Sequence, residues 1–213
     1  MRVAIITEIS TAAKNVDIVK GTKGIEHEFF NLGMKGTEGE PELSTVETGF
    51  LTGLLLNLEC VDFIIGGCGT GQGYMNSALQ YPNVVCGLIN DPLNAWLFPQ
   101  INGGNCVSLS LNKDYGWAGD INLAFILREL FSVAPCVGYP EYRKVPQEII
   151  RGRLRDVSLT THMTFVEILD RMGRNGNEVL RRALTFPGIQ EFIEKNYRNE
   201  ELYRSVGKIQ ASL

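Results

Sequence analysis

Histidine is scarce in this chain. Its 213 residues include two histidines, His27 and His162, which lie far apart in the sequence. Imidazole is the commonest side-chain ligand of transition metals, so two separated histidines exclude a multi-histidine metal site. A serine–histidine–aspartate triad would have to use one of these two residues. The sequence therefore predicts a protein that holds no catalytic metal.

Paired cysteines are also lacking. No two cysteines have the spacing of a zinc or CxxC redox motif, and their number is odd. We expect free thiols, most of them small buried hydrophobic residues. The five cysteines are Cys60, Cys68, Cys86, Cys106 and Cys136.

Neither an excess of basic residues nor a long apolar run is present. Lysine and arginine number 20 against 24 acidic residues, for a net charge of −4, so the basic stripe of a nucleic-acid-binding protein is not expected. The first apolar run, at 3–6, is short and meets polar and acidic residues at once, which fits neither a secretory signal nor a membrane span. We therefore expect a cytoplasmic protein without membrane partners.

What the sequence does contain is an alternation of short apolar, β-rich runs with helical segments. This pattern is typical of a parallel sheet with helices on both faces. We predict a three-layer, Rossmann-like α/β sandwich with a five-stranded parallel sheet. The predicted strands are residues 2–7, 27–32, 61–65, 84–89 and 106–111. The predicted helices between or after them are residues 11–20, 44–59 and 117–131.

The character of the chain changes after residue 131. Pro135, Gly138 and Pro140 indicate a linker, and the remainder reads as helix without further strands. We predict an α/β domain at 1–131 and a helical C-terminal region at 145–213. Its helices are predicted at 147–156, 164–171, 178–184 and 190–197.

The segment with the most chemical information is residues 62–73, DFIIGGCGTGQG. A buried strand runs into closely spaced glycines around Cys68 and then into a helix. At the carboxyl end of a parallel strand such a loop binds ligands, and its amides and the following helix favour anions. The same environment favours the thiolate form of a cysteine.

Three interpretations of this loop compete. The first is a tight strand-to-helix turn around a buried cysteine. The second is a dinucleotide-binding loop, but the loop follows the third strand and no acidic residue ends a later strand at the required distance. The third is a catalytic thiolate beside an oxyanion-stabilising loop, which suits reactions that pass through an enediolate.

Residues 68–73 (CGTGQG) resemble the CGTGxG loop of the ribose-5-phosphate isomerase B / galactose-6-phosphate isomerase family. The resemblance covers about 1–131 and includes the segment 90–92 (NDP). The segment 100–105 (QINGGN) is similar to the His-Asn-x-x-Asn segment of the family. Three segments in order at matching spacing make the resemblance specific.

The resemblance implies aldose–ketose isomerisation without a metal or other cofactor. It also implies a homodimer whose active sites lie between subunits and whose partner molecule is a small sugar or sugar phosphate. Cys68 would remove the proton beside the carbonyl, and the amides of residues 69–73 would hold the enediolate oxygen. Thr70 would act with Cys68 and, like Asn102, orient substrate oxygens. The full set of predicted substrate-binding residues is Glu8, Gly69, Gly71, Gly73, Asn102 and Asn105.

Several positions depart from the pattern of the family. Glu8-Ile9 stands where the family has Asp-His, and Ile101 replaces its ring-opening histidine. The arginine of the Gly-Ser-Arg motif falls near Asn112 and Lys113, and a longer helical region replaces the arginine-bearing tail. Such a site suits an open-chain substrate, or one with a carboxylate in place of a phosphate.

Alternatives therefore stay open for the function and for single residues. The chain could isomerise an open-chain, non-phosphorylated deoxy-keto uronate, or it could be a sugar-binding relative without activity. A thiol-dependent hydrolase would need a histidine beside Cys68. Glu8 is either a site residue or a loop acid, and Asn105 either contacts the ligand or closes an Asx-turn. Tyr74 stands where a branch of the family that lacks the cysteine has a glutamate base.

Overall fold

A parallel sheet lies at the centre of the computed structural model, which describes residues 1–113, 115–174 and 176–210. Its strands are β1 (Arg2–Ile6), β2 (Glu28–Asn31), β3 (Phe63–Cys68), β4 (Cys86–Ile89) and β5 (Cys106–Ser110). They are ordered β2-β1-β3-β5-β4, and all pairs are parallel. The chain leaves β1 toward β2 and leaves β3 toward the opposite side of the sheet. The carboxyl ends of β1 and β3 therefore flank a topological switch point, where ligands bind in open α/β sheets.

Helices cover both faces of this sheet. They are α1 (Asn15–Gly21), α2 (Thr45–Asn57), α3 (Gln72–Ala78), α4 (Pro92–Asn102) and α5 (Gly119–Leu130), with a 3-10 helix at Ile9–Lys14. α2 and α3 contribute to the hydrophobic core on one face, and α1, α4 and α5 to the core on the other. The predicted three-layer α/β fold is confirmed.

The C-terminal part is helical, as expected. It contains a 3-10 helix at Glu141–Arg143 and the helices α6 (Lys144–Thr161), α7 (Phe165–Arg174), α8 (Glu178–Leu184), α9 (Ile189–Asn196) and α10 (Glu200–Gln210). Residue 175 and residues 211–213 of the predicted region 145–213 lie outside the described residues. Of the helices that the structure describes, none is both long and apolar enough to cross a bilayer.

Two helices, α4 and α10, were not expected from the sequence. α4 begins with Pro92, and the Asp91 side chain accepts a hydrogen bond from the Asn94 amide at 2.8 Å, so Asp91 is an N-cap. Pro99 lies inside the helix, and its presence obscures the helical pattern in the sequence. The predicted helix 11–20 is also different, because the chain first forms a 3-10 turn that Glu8 caps.

β3 extends three residues beyond its predicted end, through Gly66 and Gly67 to Cys68. A Cβ atom at Gly66 would overlap the ring of Tyr74, and one at Gly67 would overlap the carbonyl oxygen of Leu109. The strand therefore continues through two glycines, because neighbouring groups occupy the space that a side chain would need. Cys68 is consequently the last residue of a central strand and not the middle of a loop.

α2 is buried on all of its faces. One side packs on the sheet and the other on the C-terminal helices, whose Phe165, Leu180 and Leu184 share a core cluster with Leu51 and Leu55 of α2. A helix that is apolar all round is stable only when it is enclosed in this way. α6 is the opposite case, since Gln147 is its one buried residue among those described.

Because the C-terminal helices and the α/β part share one core, we expect them to unfold together. Leu184→Ala should lower the free energy of unfolding by about 2–5 kcal/mol, the usual cost of truncating a buried leucine. Leu159→Ala, at an exposed position on α6, should change it by less than about 0.5 kcal/mol. Urea titration followed by circular dichroism measures both. Two separate transitions, with only one shifted by Leu184→Ala, would contradict the shared core.

Candidate active site

Cys68 lies at the carboxyl edge of the sheet, beside the switch point between β1 and β3. Its side chain faces the α2/α3 side, and the residue is 6% exposed. Its carbonyl oxygen accepts hydrogen bonds from the amides of Gly71 at 3.2 Å and Leu111 at 3.0 Å. These bonds join the loop after β3 to the segment after β5, so the backbone that carries the thiol is held on two sides.

The loop after Cys68 needs glycine at residue 71. Gly71 has φ of 77°, in the left-handed region, and a Cβ atom there would overlap the side chain of Leu88. The Ser108 hydroxyl donates to the Gly71 carbonyl. The turn therefore directs the chain into α3 within three residues of the cysteine.

Two of the amides that we predicted as anion-binding groups are already engaged in the loop. The Gly71 amide donates to the Cys68 carbonyl at 3.2 Å, and the Gln72 amide donates weakly to the Thr70 hydroxyl at 3.4 Å. Gly73 lies in the first turn of α3, where amides have no acceptor within the helix. The predicted anion-binding amides are thereby reduced to those of Gly69, Thr70 and Gly73, and their role stays a prediction.

Uncharged polar side chains lie near the sulfur and near the loop that follows it. A Cβ atom built on Gly73 would lie 3.7 Å from Cys68 Sγ and 3.8 Å from the Thr45 hydroxyl. A Cβ atom built on Gly69 would lie 3.4 Å from Asn112 Nδ2 and 3.8 Å from the Ser10 hydroxyl. Sequence reasoning did not single out Thr45 or Ser10, because each belongs to a different strand-to-helix connection and none forms a motif with Cys68.

Glu8 follows β1 and is 3% exposed. Its carboxylate accepts hydrogen bonds from the amide of Ser10 at 2.9 Å, the hydroxyl of Ser10 at 2.5 Å and the hydroxyl of Thr11 at 3.0 Å. Asn112 Nδ2 donates to the Ser10 carbonyl at 3.0 Å. Glu8 therefore caps the 3-10 helix and positions Ser10, while its predicted contact with the substrate stays a prediction.

The structure does not bring Asn102 and Asn105 to Cys68. Asn102 ends α4 and Asn105 precedes β5, so both lie at the amino edge of the sheet, opposite the cysteine. The Asn105 side chain accepts from the Val85 amide at 2.9 Å and donates to the Asn83 carbonyl at 2.7 Å. Asn105 thus joins the entrances of β4 and β5. Within one chain neither asparagine can contact a substrate bound at Cys68.

Tyr74 cannot replace Cys68 as a base. Its side chain is fully buried, and its hydroxyl lies 2.5 Å from Thr52 Oγ1 and 3.5 Å from Cys106 Sγ. Burial and the neighbouring thiols of Cys106 and Cys86 raise its pKa well above the ordinary value for tyrosine. Tyr74 is therefore a neutral core residue that fills the space beside Gly66.

The remaining cysteines divide into buried and exposed thiols. Burial raises the pKa of Cys60 to about 12, against a smaller opposing effect of Arg2. The pKa of Cys86 is raised far above its ordinary value by a hydrogen bond with the Cys106 thiol and by burial. Cys136 is exposed. Among the described residues, no group of three or more histidine, cysteine or acidic side chains is placed to hold a metal ion.

The two histidines lie away from the thiol. His27 precedes β2 at the amino edge of the sheet, and its ring meets that of Phe131 edge-on at 5.1 Å. His162 follows α6, and its Nδ1 lies 3.1 Å from the carbonyl oxygen of Ser158. Neither imidazole is available to a ligand at Cys68 of the same chain.

A glycine-rich loop at the switch point of a parallel sheet is typical of an α/β protein that binds its ligand at the carboxyl edge of the strands. Residues 3–126 match the model of the ribose/galactose isomerase family, and the chain belongs to that family. The expectation from the residues at 68–73 is thereby confirmed. No curated protein matches the chain.

Several solved structures resemble the whole chain. The structure of a 4-deoxy-L-threo-5-hexosulose-uronate ketol-isomerase complexed with a tartrate is 34% identical, with a TM-score of 0.94 over 99% of this chain and 100% of that one. A ribose-5-phosphate isomerase from Vibrio parahaemolyticus is 34% identical, with a TM-score of 0.92 over 98% and 99%. The type B ribose 5-phosphate isomerase from Trypanosoma cruzi is 20% identical and covers 75% of this chain at a TM-score of 0.62, which shows the shared fold.

The exposed Cys136 determines how the reactivity of Cys68 has to be measured. In a Cys136→Ser background, iodoacetamide should modify Cys68 before Cys60, Cys86 and Cys106. Burial keeps the Cys60 thiol protonated, and the hydrogen bond with Cys106, together with burial, does the same for Cys86. Peptide mass spectrometry at increasing reaction times gives the order. Alkylation of any of the other three cysteines ahead of Cys68 would argue against a reactive thiol at the loop.

Proposed function

We propose that this protein interconverts the aldehyde and ketone forms of an open-chain, non-phosphorylated deoxy-keto uronate, with Cys68 as the base. The observation that carries the proposal is the absence of an imidazole from the site. Ile9 and Ile101 stand at the two positions where the resemblance implies histidines, and His27 and His162 lie elsewhere. A cyclic sugar needs acid–base assistance to open its ring, whereas an open-chain substrate does not.

The chemistry follows from the arrangement around Cys68. The thiolate removes a proton from the carbon beside the carbonyl, and the electrons of the broken C–H bond form the double bond of an enediolate. The amides of Gly69, Thr70 and Gly73 stabilise the negative oxygen, a role that typically contributes a factor of about 10²–10³ per donor. The Cys68 thiol then returns the proton to the neighbouring carbon, while a proton moves between the two oxygens through a hydroxyl.

The polarity of the site supports a polyhydroxylated substrate. The side chains that border Cys68 and the loop, Ser10, Thr45 and Asn112, are hydroxyls and an amide. The backbone amide of Lys113 donates to the Gly69 carbonyl at 2.8 Å, so the backbone of this lysine borders the loop near the position where the resemblance implies an arginine. A lysine suits a single carboxylate, for which the bidentate geometry of arginine is not required.

The similar solved structures support two substrates to different extents. The tartrate-bound ketol-isomerase matches the chain end to end, including the C-terminal helices. The Vibrio parahaemolyticus ribose-5-phosphate isomerase matches it at the same identity, so a cyclic pentose phosphate is the second candidate. The isoleucines at residues 9 and 101, where the resemblance implies histidines, favour the first.

The substrate proposal is tested by comparing kcat/KM for ribose 5-phosphate and for a linear deoxy-keto uronate, with EDTA present. We expect the linear substrate to be preferred at least about 10-fold, because general acid–base help in ring opening is worth roughly 10²–10⁴-fold. Efficient turnover of ribose 5-phosphate would refute the open-chain proposal. Binding of both sugars without turnover would identify a non-catalytic sugar-binding relative.

The role of Cys68 has its own test on the better substrate. Cys68→Ala should reduce kcat by at least about 10²-fold while the fold is retained, because the general base is lost. Cys136→Ser removes the exposed thiol and should leave kcat unchanged. If Cys68→Ala isomerises at near the wild-type rate, another residue is the base.

We also propose a homodimer in which each site is completed by the other subunit. α6 carries apolar side chains that are half exposed or more, among them Ile149 at 50%, Ile150 at 55% and Leu154 at 55%. A single helix with such a surface is unfavourable in water unless another surface covers it. Arg151 Nη1 donates to the Ile101 carbonyl at 2.8 Å, so α6 is anchored beside Asn102. A second copy seated on α6 would therefore meet Asn102, which cannot reach Cys68 of its own chain.

Charged residues on this helix should separate the subunits. The double variant Ile150→Glu/Leu154→Glu places two charges one turn apart on α6 and should sediment as a monomer at micromolar concentration, with reduced activity. Val16→Glu, at an equally exposed apolar position on α1, is the matched control and should sediment like the wild type. A wild-type protein that is a stable and active monomer at that concentration would overturn the proposal.

A further inference from the structure

We propose that Thr45 contacts the substrate opposite Cys68, and that Arg182 of the C-terminal region is a positioning residue that holds Thr45 in place. This inference rests on the proposed isomerase function. Arg182 lies outside residues 3–126, which match the family, so it would link the additional helices to the geometry of the site.

Thr45 is the first residue of α2 and faces the thiol. A Cβ atom built on Gly73 would lie 3.5 Å from Thr45 Cγ2 and 3.8 Å from the Thr45 hydroxyl. The same atom would lie 3.7 Å from Cys68 Sγ. Thr45 is partly exposed, and its hydroxyl makes no hydrogen bond to any described residue. A substrate that lies over Gly73 within reach of the sulfur would therefore meet this hydroxyl.

A network of hydrogen bonds fixes the start of α2. Ser44 and Glu47 form a capping box, in which the Ser44 amide and hydroxyl donate to Glu47 Oε2 at 2.7 and 2.5 Å. The Val46 amide donates to the Ser44 hydroxyl at 3.1 Å. Burial opposes ionisation of Glu47, but the bonds from Ser44 outweigh it and lower the pKa of this carboxyl. A buried carboxylate thus holds Ser44, the residue directly before Thr45.

Arg182 of α8 contacts the chain on both sides of this residue. Its Nη2 donates to the Glu42 carbonyl, and its Nη1 lies 3.9 Å from Glu47 Oε1. Between them, the Leu43 carbonyl accepts from the Ile9 amide at 2.8 Å, beside the Glu8 cap. The Arg182 guanidinium therefore joins the segment before α2 to the capping box. Through Leu43, this segment is in turn bonded to the loop after β1.

The position of Thr45 beside Cys68 therefore depends on Arg182, a residue far away in the sequence. Without Arg182 the fold keeps its apolar core, because the contact of α8 with α2 is made by buried side chains such as Leu180 and Leu184. What is lost is the restraint on residues 42–47, so Thr45 is no longer held at a fixed distance from Cys68. A displacement of about 1 Å in a positioning group is sufficient to reduce turnover substantially.

The test compares Arg182→Ala and Arg182→Lys with Arg181→Ala, a neighbouring arginine whose ion pair with Glu178 is exposed. We expect Arg182→Ala to raise KM about 10-fold, with a smaller effect on kcat, and Arg182→Lys to restore part of the loss because it retains one donor to Glu42 or Glu47. Thr45→Val should raise KM similarly, whereas Thr45→Ser, which keeps the hydroxyl, should not. Arg181→Ala should behave as wild type.

A second measurement does not depend on turnover. In the Cys136→Ser background, Arg182→Ala should increase the rate at which iodoacetamide alkylates Cys68 at least about 3-fold over Arg181→Ala, because Thr45 no longer shields the sulfur. Equal KM values and equal alkylation rates for the two arginine variants would overturn the inference.

Should the unsubstituted protein fail to isomerise any keto uronate or pentose phosphate, the proposed function would fall, and the alkylation rates would still decide the role of Arg182. If Arg182→Ala does not fold, Arg182→Lys and Thr45→Val decide it.

Discussion

The contact between the ring of Tyr74 and the backbone of Gly66 is the constraint on which the site depends. The ring occupies the space that a side chain at residue 66 would need, and the Leu109 carbonyl does the same at Gly67. Strand β3 can therefore run between its neighbours as far as Cys68. Because Tyr74 belongs to α3, the same contact fixes the first turn of that helix relative to the thiol. A larger residue at Gly66 would push β3 away from α3, and one at Gly67 would push it away from β5.

Burial of α2 is the second constraint, and it connects the site to the C-terminal region. α2 has apolar residues on every face, so the sheet alone cannot cover it. Helices α7 to α10 supply the remaining cover and join the same core cluster. The start of α2 carries Thr45 beside the thiol. The additional helices are therefore part of the structure that shapes the site, and not an independent attachment to it.

Polarity distinguishes the site from the rest of the interior. Burial holds the pKa values of Cys60 and Tyr74 above their ordinary range, and a hydrogen bond with the Cys106 thiol, together with burial, does the same for Cys86. Cys68 instead lies where a strand ends, with the Thr45 hydroxyl near its sulfur and the Ser10 hydroxyl near Gly69 of the following loop. One fold thus contains structural thiols that stay protonated and, at the end of β3, the thiol that we propose as the base.

The sequence by itself determined the α/β architecture, the position of the glycine-rich loop and the family, because strand patterns and a contiguous motif are local properties of the chain. It did not show α4, where Pro99 obscures the helical pattern, or the end of β3, where Gly66 and Gly67 resemble a loop. The resemblance predicted that Asn102 and Asn105 bind the substrate together with Cys68. The parallel topology places both asparagines at the amino edge of the sheet, opposite Cys68. Ser10, Thr45 and Arg182 entered the description of the site only with the tertiary structure. The contacts that link these residues to the site result from packing between segments far apart in the chain, and no local pattern records such packing.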